Sequence, residues 1–340
     1  MTIENRNESH RSHRRNGFYG FILIAAMLVA TGCRRQPQER QAGDIEIKRF
    51  ERVLMDDGSR PLEAAIAAFR EQYASPLLAL VPEDTAFMAM VYDYREDATM
   101  RYMDSCVQRR YGSLSYLEHE LSEALRKAEK LDDEIRFSHF ATFIGSAGYE
   151  SRVVADRESE SVLIAIDQYV MKDMERYGYF GDPQYIVHLS DSAYLSTDCM
   201  AAIAHEYIAM PPEPWTLLDR IVAEGKELYF LEQTLPEVPD SIRIRYTAQQ
   251  YEWMQANEKN VWSYIMQSQL LYSTGENQYH NLTDEAPKTN KFGEESAPRT
   301  TEYIGWQIVR QYMKKKGSTL KELFEETDSQ KILTQSNYHP

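Results

Sequence analysis

Apolar residues recur along the chain with two different periods, which separate helical stretches from strands. Residues Ile45 to Lys48 alternate apolar with charged side chains, and this alternation predicts a half-buried strand. From Pro61 to Lys130 the apolar positions recur every three or four residues, which predicts three or four amphipathic helices. The clearest stripe in that stretch consists of four leucines, Leu114, Leu117, Leu121 and Leu125.

The middle of the chain predicts two more strands. Apolar side chains alternate between Ile135 and Phe143, and residues 162–166 form a continuous apolar run typical of a strand buried on both faces. In the second half of the chain, apolar residues again recur with the period of a helix. Four helices are predicted there, over residues 197–209, 215–235, 248–271 and 301–315.

Helix-breaking residues interrupt this helical half at two places. The prolines of residues 211–214 remove backbone donors and end a helix. The polar stretch between Leu271 and Thr301 predicts a long loop, and loops of that length are often functional. The pattern as a whole predicts an α+β fold that is predominantly α-helical, with a small sheet packed among many helices in one domain over residues 45–340.

The composition is that of a folded and strongly acidic protein. The chain has 340 residues, of which 43% are hydrophobic. Its 38 basic and 53 acidic residues give a formal net charge of −15 at pH 7, so its surface repels the phosphates of a nucleic acid. We therefore expect no nucleic-acid partner.

The N-terminus has the organisation of an export signal. Four arginines precede the uncharged stretch of residues 16–32, which ends in Ala30-Thr31-Gly32 directly before Cys33. Small residues before a cysteine resemble the lipobox of a bacterial lipoprotein, in which Cys33 would carry acyl chains such as palmitate and become the mature N-terminus. An uncleaved N-terminal membrane helix is the alternative, and it would place the domain on the same side of the membrane.

We therefore predict a signal peptide over residues 1–32, then the lipidated Cys33 and a tether over residues 33–44. The membrane would be reached through the lipid, and the domain would lie outside the cytoplasm in the cell envelope. Arg34 after the cysteine favours the outer membrane. The remaining cysteines, Cys106 and Cys199, lie in apolar helical segments, where two buried free thiols are a better interpretation than a disulfide.

One local pattern has a catalytic precedent. His205 and Glu206 lie in a predicted helix and Glu224 in the next, which is similar to the H-E-x-x-H zinc site of metallopeptidases. The second histidine position is Ala209, which cannot bind a metal, so a structural role for the pair is favoured and no cofactor is expected. The alternative is a zinc site with His205 as ligand, Glu206 as general base and Glu224 as a further ligand, completed from elsewhere in the fold by His188 or His280.

Aromatic residues are frequent in the C-terminal helices. Their helical spacing favours core packing, and a partner-binding surface is the second interpretation. The residues concerned are Tyr246, Tyr251, Trp253, Trp262, Tyr264, Tyr272, Tyr303, Trp306 and Tyr312.

Several segments together resemble the gliding-motility lipoprotein GldB family of the Bacteroidetes. The C-terminal segments carry most of the resemblance: residues 261–265 (VWSYI), 270–274 (LLYST), 297–299 (APR) and 303–313 (YIGWQIVRQYM). Upstream segments agree in order and spacing: residues 47–50 (IKRF), 165–169 (AIDQY), 184–187 (QYIV) and 224–229 (EGKELY).

The resemblance implies a non-enzymatic envelope component that is needed for gliding and for the associated type IX secretion machinery. Its partners would be envelope proteins, bound through the aromatic C-terminal helices or through residues 274–298. The family also looks related to zincin-type peptidases, so a zincin-like scaffold without its metal is expected. A zinc metallopeptidase is the alternative function, and a binding protein for a small molecule is a third.

Overall fold

The fold was taken from a computed structural model, which describes residues 44–55, 61–73, 85–144, 152–173 and 183–340. The predicted signal peptide, Cys33 and the tether before residue 44 lie outside the described residues. None of the helices that the structure describes combines the length and the apolar character needed to span a bilayer.

A four-stranded sheet forms the centre of the N-terminal half. Its strands are β1 (Ile47–Arg49), β2 (His139–Phe143), β3 (Val153–Asp156) and β4 (Ser161–Ala165), in the spatial order β1-β2-β4-β3. Strands β1, β2 and β4 are parallel, whereas β3 is antiparallel to β4 and forms one edge. The β2 and β4 strands are almost entirely buried, because helices cover the sheet.

The helices before β2 follow the predicted pattern. They are α1 (Phe50–Met55), α2 (Leu62–Tyr73), α3 (Thr85–Glu96), α4 (Ala98–Arg110) and α5 (Ser115–Leu131). The leucine stripe that begins at Leu114 and continues along α5 is buried throughout. The described residues between Pro61 and Lys130 contain four helices, as predicted.

The helices after β4 form the larger layer of the fold. They are α6 (Gln184–His188), α7 (Leu195–His205), α8 (Leu217–Thr234), α9 (Asp240–Arg243), α10 (Ala248–Gln267), α11 (Glu276–Thr283), α12 (Thr300–Lys316), α13 (Leu320–Glu325) and α14 (Ser329–Ser336). Helices α8 and α12 cross closely at Gly225 and Gly305. This crossing is the centre of the C-terminal core.

Three predictions about local structure were wrong in detail. Helix α7 ends at His205 instead of Ala209, whose backbone N–H donates to the Phe324 carbonyl at 2.9 Å. The predicted long loop between Leu271 and Thr301 contains helix α11, whose buried Tyr279 and Leu282 supply apolar contacts that a polar composition hides. Strand β3 was not predicted, because its four residues are too short for a period to show.

The predicted free thiols are confirmed. Cys106 in α4 and Cys199 in α7 are both buried and unpaired. Most of the C-terminal aromatic residues belong to the core or pack against it, as their spacing predicted, whereas the side chain of Tyr272 is exposed.

Candidate functional site

A cleft of about 470 Å³ opens between the edge strand β3 and helix α7. Strand β3 supplies Val153, Val154 and Ala155 to one wall, and α7 supplies the small side chains of Ala201 and Ala202 to the other. Small residues on the helix leave the space that a larger side chain would fill. The remaining lining residues are mostly charged: Arg152, Asp198, His205, Glu206, Arg245, Glu285, Arg299 and Glu302.

Asp198 is the centre of the buried charges in this cleft. Its Oδ2 lies 2.9 Å from Nε of Arg152 and accepts a hydrogen bond of 2.8 Å from the Tyr169 hydroxyl. Its Oδ1 accepts from Nε of Arg245 at 3.0 Å. The Asp198 side chain is only 4% exposed, so its charge is compensated by these two guanidinium groups and not by water.

His205 lies at the mouth of the cleft and contacts Glu227. The His205 Nε2 atom is paired with Oε2 of Glu227, a carboxylate from helix α8. The two side chains differ sharply in environment, since His205 is 67% exposed and Glu227 is 11% exposed. Arg245 lies 3.6 Å from the other oxygen of Glu227 and thereby joins this pair to Asp198.

The contact shifts the pKa of both partners. The hydrogen bond and the negative charge of Glu227 raise the pKa of His205 above its ordinary value of 6.5. Burial opposes ionisation of Glu227, yet His205 and Arg245 together lower its pKa to about 2. The pair therefore contributes most to the stability of the fold between about pH 4.5 and 6.5. Below this range the contribution falls as the pH approaches the lowered pKa of Glu227, where the carboxylate takes up a proton. Above this range it falls as the pH rises through the raised pKa of His205, where the ring loses its charge.

Replacing Glu227 by glutamine should lower the pKa of His205, because the hydrogen bond to a charged acceptor is lost. We expect the His205 titration, followed by NMR of the ring protons, to move to lower pH in Glu227→Gln. His188 is the internal reference, since burial lowers its pKa and Glu227 has no part in that shift. An unchanged His205 curve would show that the contact with Glu227 is not formed in solution.

Further charges lie deeper, behind the mouth of the cleft. Arg299 pairs with Glu302 and, at 3.0 Å from its Nε, with Glu285, and it donates to the backbone carbonyl of Ile244 at 3.0 Å. Burial, together with the nearby carboxylates, raises the pKa of Glu224 well above its ordinary value. One Glu224 oxygen is buried without a hydrogen-bond partner among the described residues. Glu224 therefore holds its proton more tightly than an exposed glutamate does.

Two residues of the predicted zinc alternative, His205 and Glu206, contact other groups in the structure. His205 contacts Glu227, which lies three residues beyond Glu224 on the same helix. The Glu206 carboxylate accepts a hydrogen bond of 3.1 Å from the Arg157 backbone N–H, just after β3. Within the part of the chain that the structure describes, no group of three or more His, Cys, Asp or Glu side chains is arranged to hold a metal ion.

The charged residues around His205 were not predicted from the sequence. Asp198 and Arg245 belong to no local motif, and Glu227 appeared only within residues 224–229 of the family resemblance. Helices and loops far apart in sequence bring the three together. Asp198 did carry a signal, as an acid within an otherwise apolar helix needs a buried partner. Arg299 lies in one of the segments that carry the family resemblance, residues 297–299.

Fold and site together define a predominantly helical α+β domain with a charged cleft at the edge of its sheet. The sequence matches the model of one protein family, described as gliding motility protein GldB, over residues 33–340. The match covers most of the chain, so the protein belongs to the GldB family, a family of gliding-motility lipoproteins. No curated protein and no solved structure matches the chain significantly.

Proposed function

We propose that the protein is a lipid-anchored component of the cell envelope that acts without catalysis in gliding motility and in the associated type IX secretion machinery. The family match over residues 33–340 carries this proposal. The matched region begins at Cys33, which supports this cysteine as the mature, lipidated N-terminus. The domain would lie outside the cytoplasm, with the outer membrane as the favoured location.

The geometry of the cleft supports a binding role. Its arginines are held by carboxylates: Arg152 and Arg245 by Asp198, and Arg299 by Glu285 and Glu302. Such a network fixes the shape of the cleft, and a fixed, charged surface is suited to recognising a partner. The partner would be an envelope protein of the motility or secretion machinery, and a small-molecule ligand remains the second class to test.

Replacing Cys33 by alanine should release the protein from membranes. Two or three acyl chains hold a protein firmly on a bilayer. In this proposal they are the anchor, and the Cys33→Ala substitution removes them. The measurement is membrane fractionation in the host together with metabolic labelling by a palmitate analogue. A Cys106→Ala variant is the matched control, because that cysteine is buried in the fold. Incorporation of label into Cys33→Ala would contradict the lipid anchor, and so would retention in the membrane of Cys33→Ala protein that lacks its signal peptide.

The purified protein should contain much less than one zinc ion per chain. Ala209 offers no ligand, and the His205 nitrogen that faces the cleft is engaged by Glu227. Elemental analysis of the mature chain by mass spectrometry tests this, with His205→Ala as the control. Zinc near one per chain that disappears in His205→Ala would instead support the metallopeptidase alternative, with His205, Glu206 and Glu224 as its candidate residues.

A further inference from the structure

Three consecutive lysines, Lys314, Lys315 and Lys316, end helix α12 in a strongly acidic protein. We call them the lysine triplet. All three side chains are exposed, and they have no ion pair among the residues that the structure describes. The helix dipole favours a cation in the last turn of a helix. It does not by itself account for three adjacent cations that have no acidic partner.

Three acidic side chains around α13, the next helix, already contact other groups. Glu134 contacts both Lys321 and Arg157, and Glu326 contacts Lys331. The Glu322 carboxylate accepts from the Thr319 backbone N–H at the start of α13. The lysine triplet therefore presents positive charge to the surroundings of the protein, although the chain as a whole is negative.

The end of α5 and the point where the tether joins the domain, at Asp44, lie at one edge of the sheet. Strands β1 and β2 are parallel, so the residues that precede them lie at the same edge. Asp44 precedes β1 and contacts Arg126 near the end of α5. Helix α5 ends at Leu131, which is exposed and precedes β2.

The lysine triplet is connected to this same edge through α13. Glu134 follows α5 directly, and Lys321 of α13 contacts it. Five steps along the chain lead from Lys316 to Lys321, and five steps span at most about 18 Å. The lysine triplet and the point where the tether enters therefore lie at the same end of the domain.

We propose that the lysine triplet contacts the anionic phospholipid headgroups of the membrane that carries the anchor, and that it thereby orients the domain on that membrane. The inference rests on the lipid anchor proposed for Cys33. The tether from Cys33 to Asp44 has eleven steps, so it keeps this end of the domain within about 40 Å of the bilayer, and charge attraction would then bring the lysine triplet to the surface. Basic residues close to an anionic surface are attracted over roughly 8 Å at physiological salt.

The test measures how fast each lysine is acetylated while the protein is bound to lipid vesicles. The mature chain beginning at Arg34 carries an N-terminal polyhistidine tag in place of the lipid, and it is bound to vesicles that contain a nickel-chelating lipid. The vesicles consist of phosphatidylcholine alone or with about one third phosphatidylglycerol. Mass spectrometry after a short pulse of an acetylating reagent gives the rates. The tag makes the result independent of natural lipidation, which the Cys33→Ala experiment tests separately.

We expect acetylation of the lysine triplet to be about threefold or more slower on the anionic vesicles, and high salt to remove the difference. Lys172 is the matched control, because it follows β4 and lies at the opposite edge of the parallel strands from the end of α5. Equal rates for the triplet on the two kinds of vesicle, or equal slowing of Lys172, would overturn the proposal.

A combined variant gives a second, independent measurement. Lys314→Gln, Lys315→Gln and Lys316→Gln together should weaken flotation of the untagged mature chain with anionic vesicles by about tenfold or more at low salt. Lys172→Gln should leave flotation unchanged. If the combined variant floats as well as the original chain, the lysine triplet is not the membrane contact.

Discussion

Replacing Gly305 by alanine should destabilise the protein by about 3 to 5 kcal/mol, which is among the largest effects expected of a single methyl group. A Cβ atom at this position would lie 1.9 Å from the carbonyl oxygen of Ile221, which belongs to the backbone of α8. Backbone cannot move aside as a flexible side chain does, so helices α8 and α12 would have to separate. The gain in helix propensity from glycine to alanine is only about 1 kcal/mol and does not offset this.

Urea denaturation measures the effect as a lower midpoint with an unchanged slope. Gly225→Ala should behave similarly, because its Cβ would lie 2.3 Å from the Gly305 carbonyl oxygen. Gly112→Ala is the matched control: a Cβ there meets no atom within 4 Å, so its effect should be small. A Gly305→Ala protein as stable as the Gly112→Ala control would show that the two helices do not cross as closely as the structure has them.

The same crossing explains why the C-terminal segment is the most specific part of the family resemblance. Gly305 allows the close approach, and the next residue, Trp306, donates from its indole N–H to Glu232 at 2.9 Å. Arg310 lies over the Trp306 ring, with 3.8 Å between its guanidinium carbon and the ring centroid, and it also pairs with Glu232. Residues 303–313 therefore hold α12 against α8 and have no direct part in the cleft.

The periodic elements of the fold were predictable from the sequence because each depends on a repeated pattern. The stripe of four leucines predicted α5, and the apolar run at residues 162–166 predicted the buried strand β4. Strand β3 and helix α11 were not predictable in this way, since short elements repeat too few times for a period to appear. Strand β3 matters most among these, because it forms one wall of the cleft.

The candidate site was predictable only at the residues that belong to a local motif. The H-E pattern drew attention to His205, and the structure does place that side chain at the mouth of a cleft. In the structure its partner is Glu227, which the sequence did not single out. Helix α8 is buried on nearly all sides, so the apolar period does not show which of its carboxylates faces α7. Only the packing of α7 against α8 decides this.

Replacing Asp198 by asparagine should destabilise the protein by about 3 to 5 kcal/mol, because it removes a buried carboxylate that compensates two arginine charges. Arg152, which is only 7% exposed, pairs with this carboxylate, and Arg245 pairs with it at a shorter distance than with Glu227. Asparagine retains the size and one acceptor oxygen of the side chain, so the variant tests the charge itself. We expect a lower urea midpoint and, since the same charges line the cleft, a less ordered cleft wall.

Asp191→Asn is the matched control for this charge effect. Asp191 pairs with Lys172, whose side chain is 52% exposed, and exposed pairs contribute at most about 1 kcal/mol. Asparagine also keeps the acceptor for the Ala193 backbone N–H, so the local turn is preserved. If Asp198→Asn costs no more than this control, water reaches the arginines of the cleft, and the cleft is then too flexible to present a fixed binding surface. A large difference between the two variants would instead support a rigid charged cleft, which the proposed binding role requires.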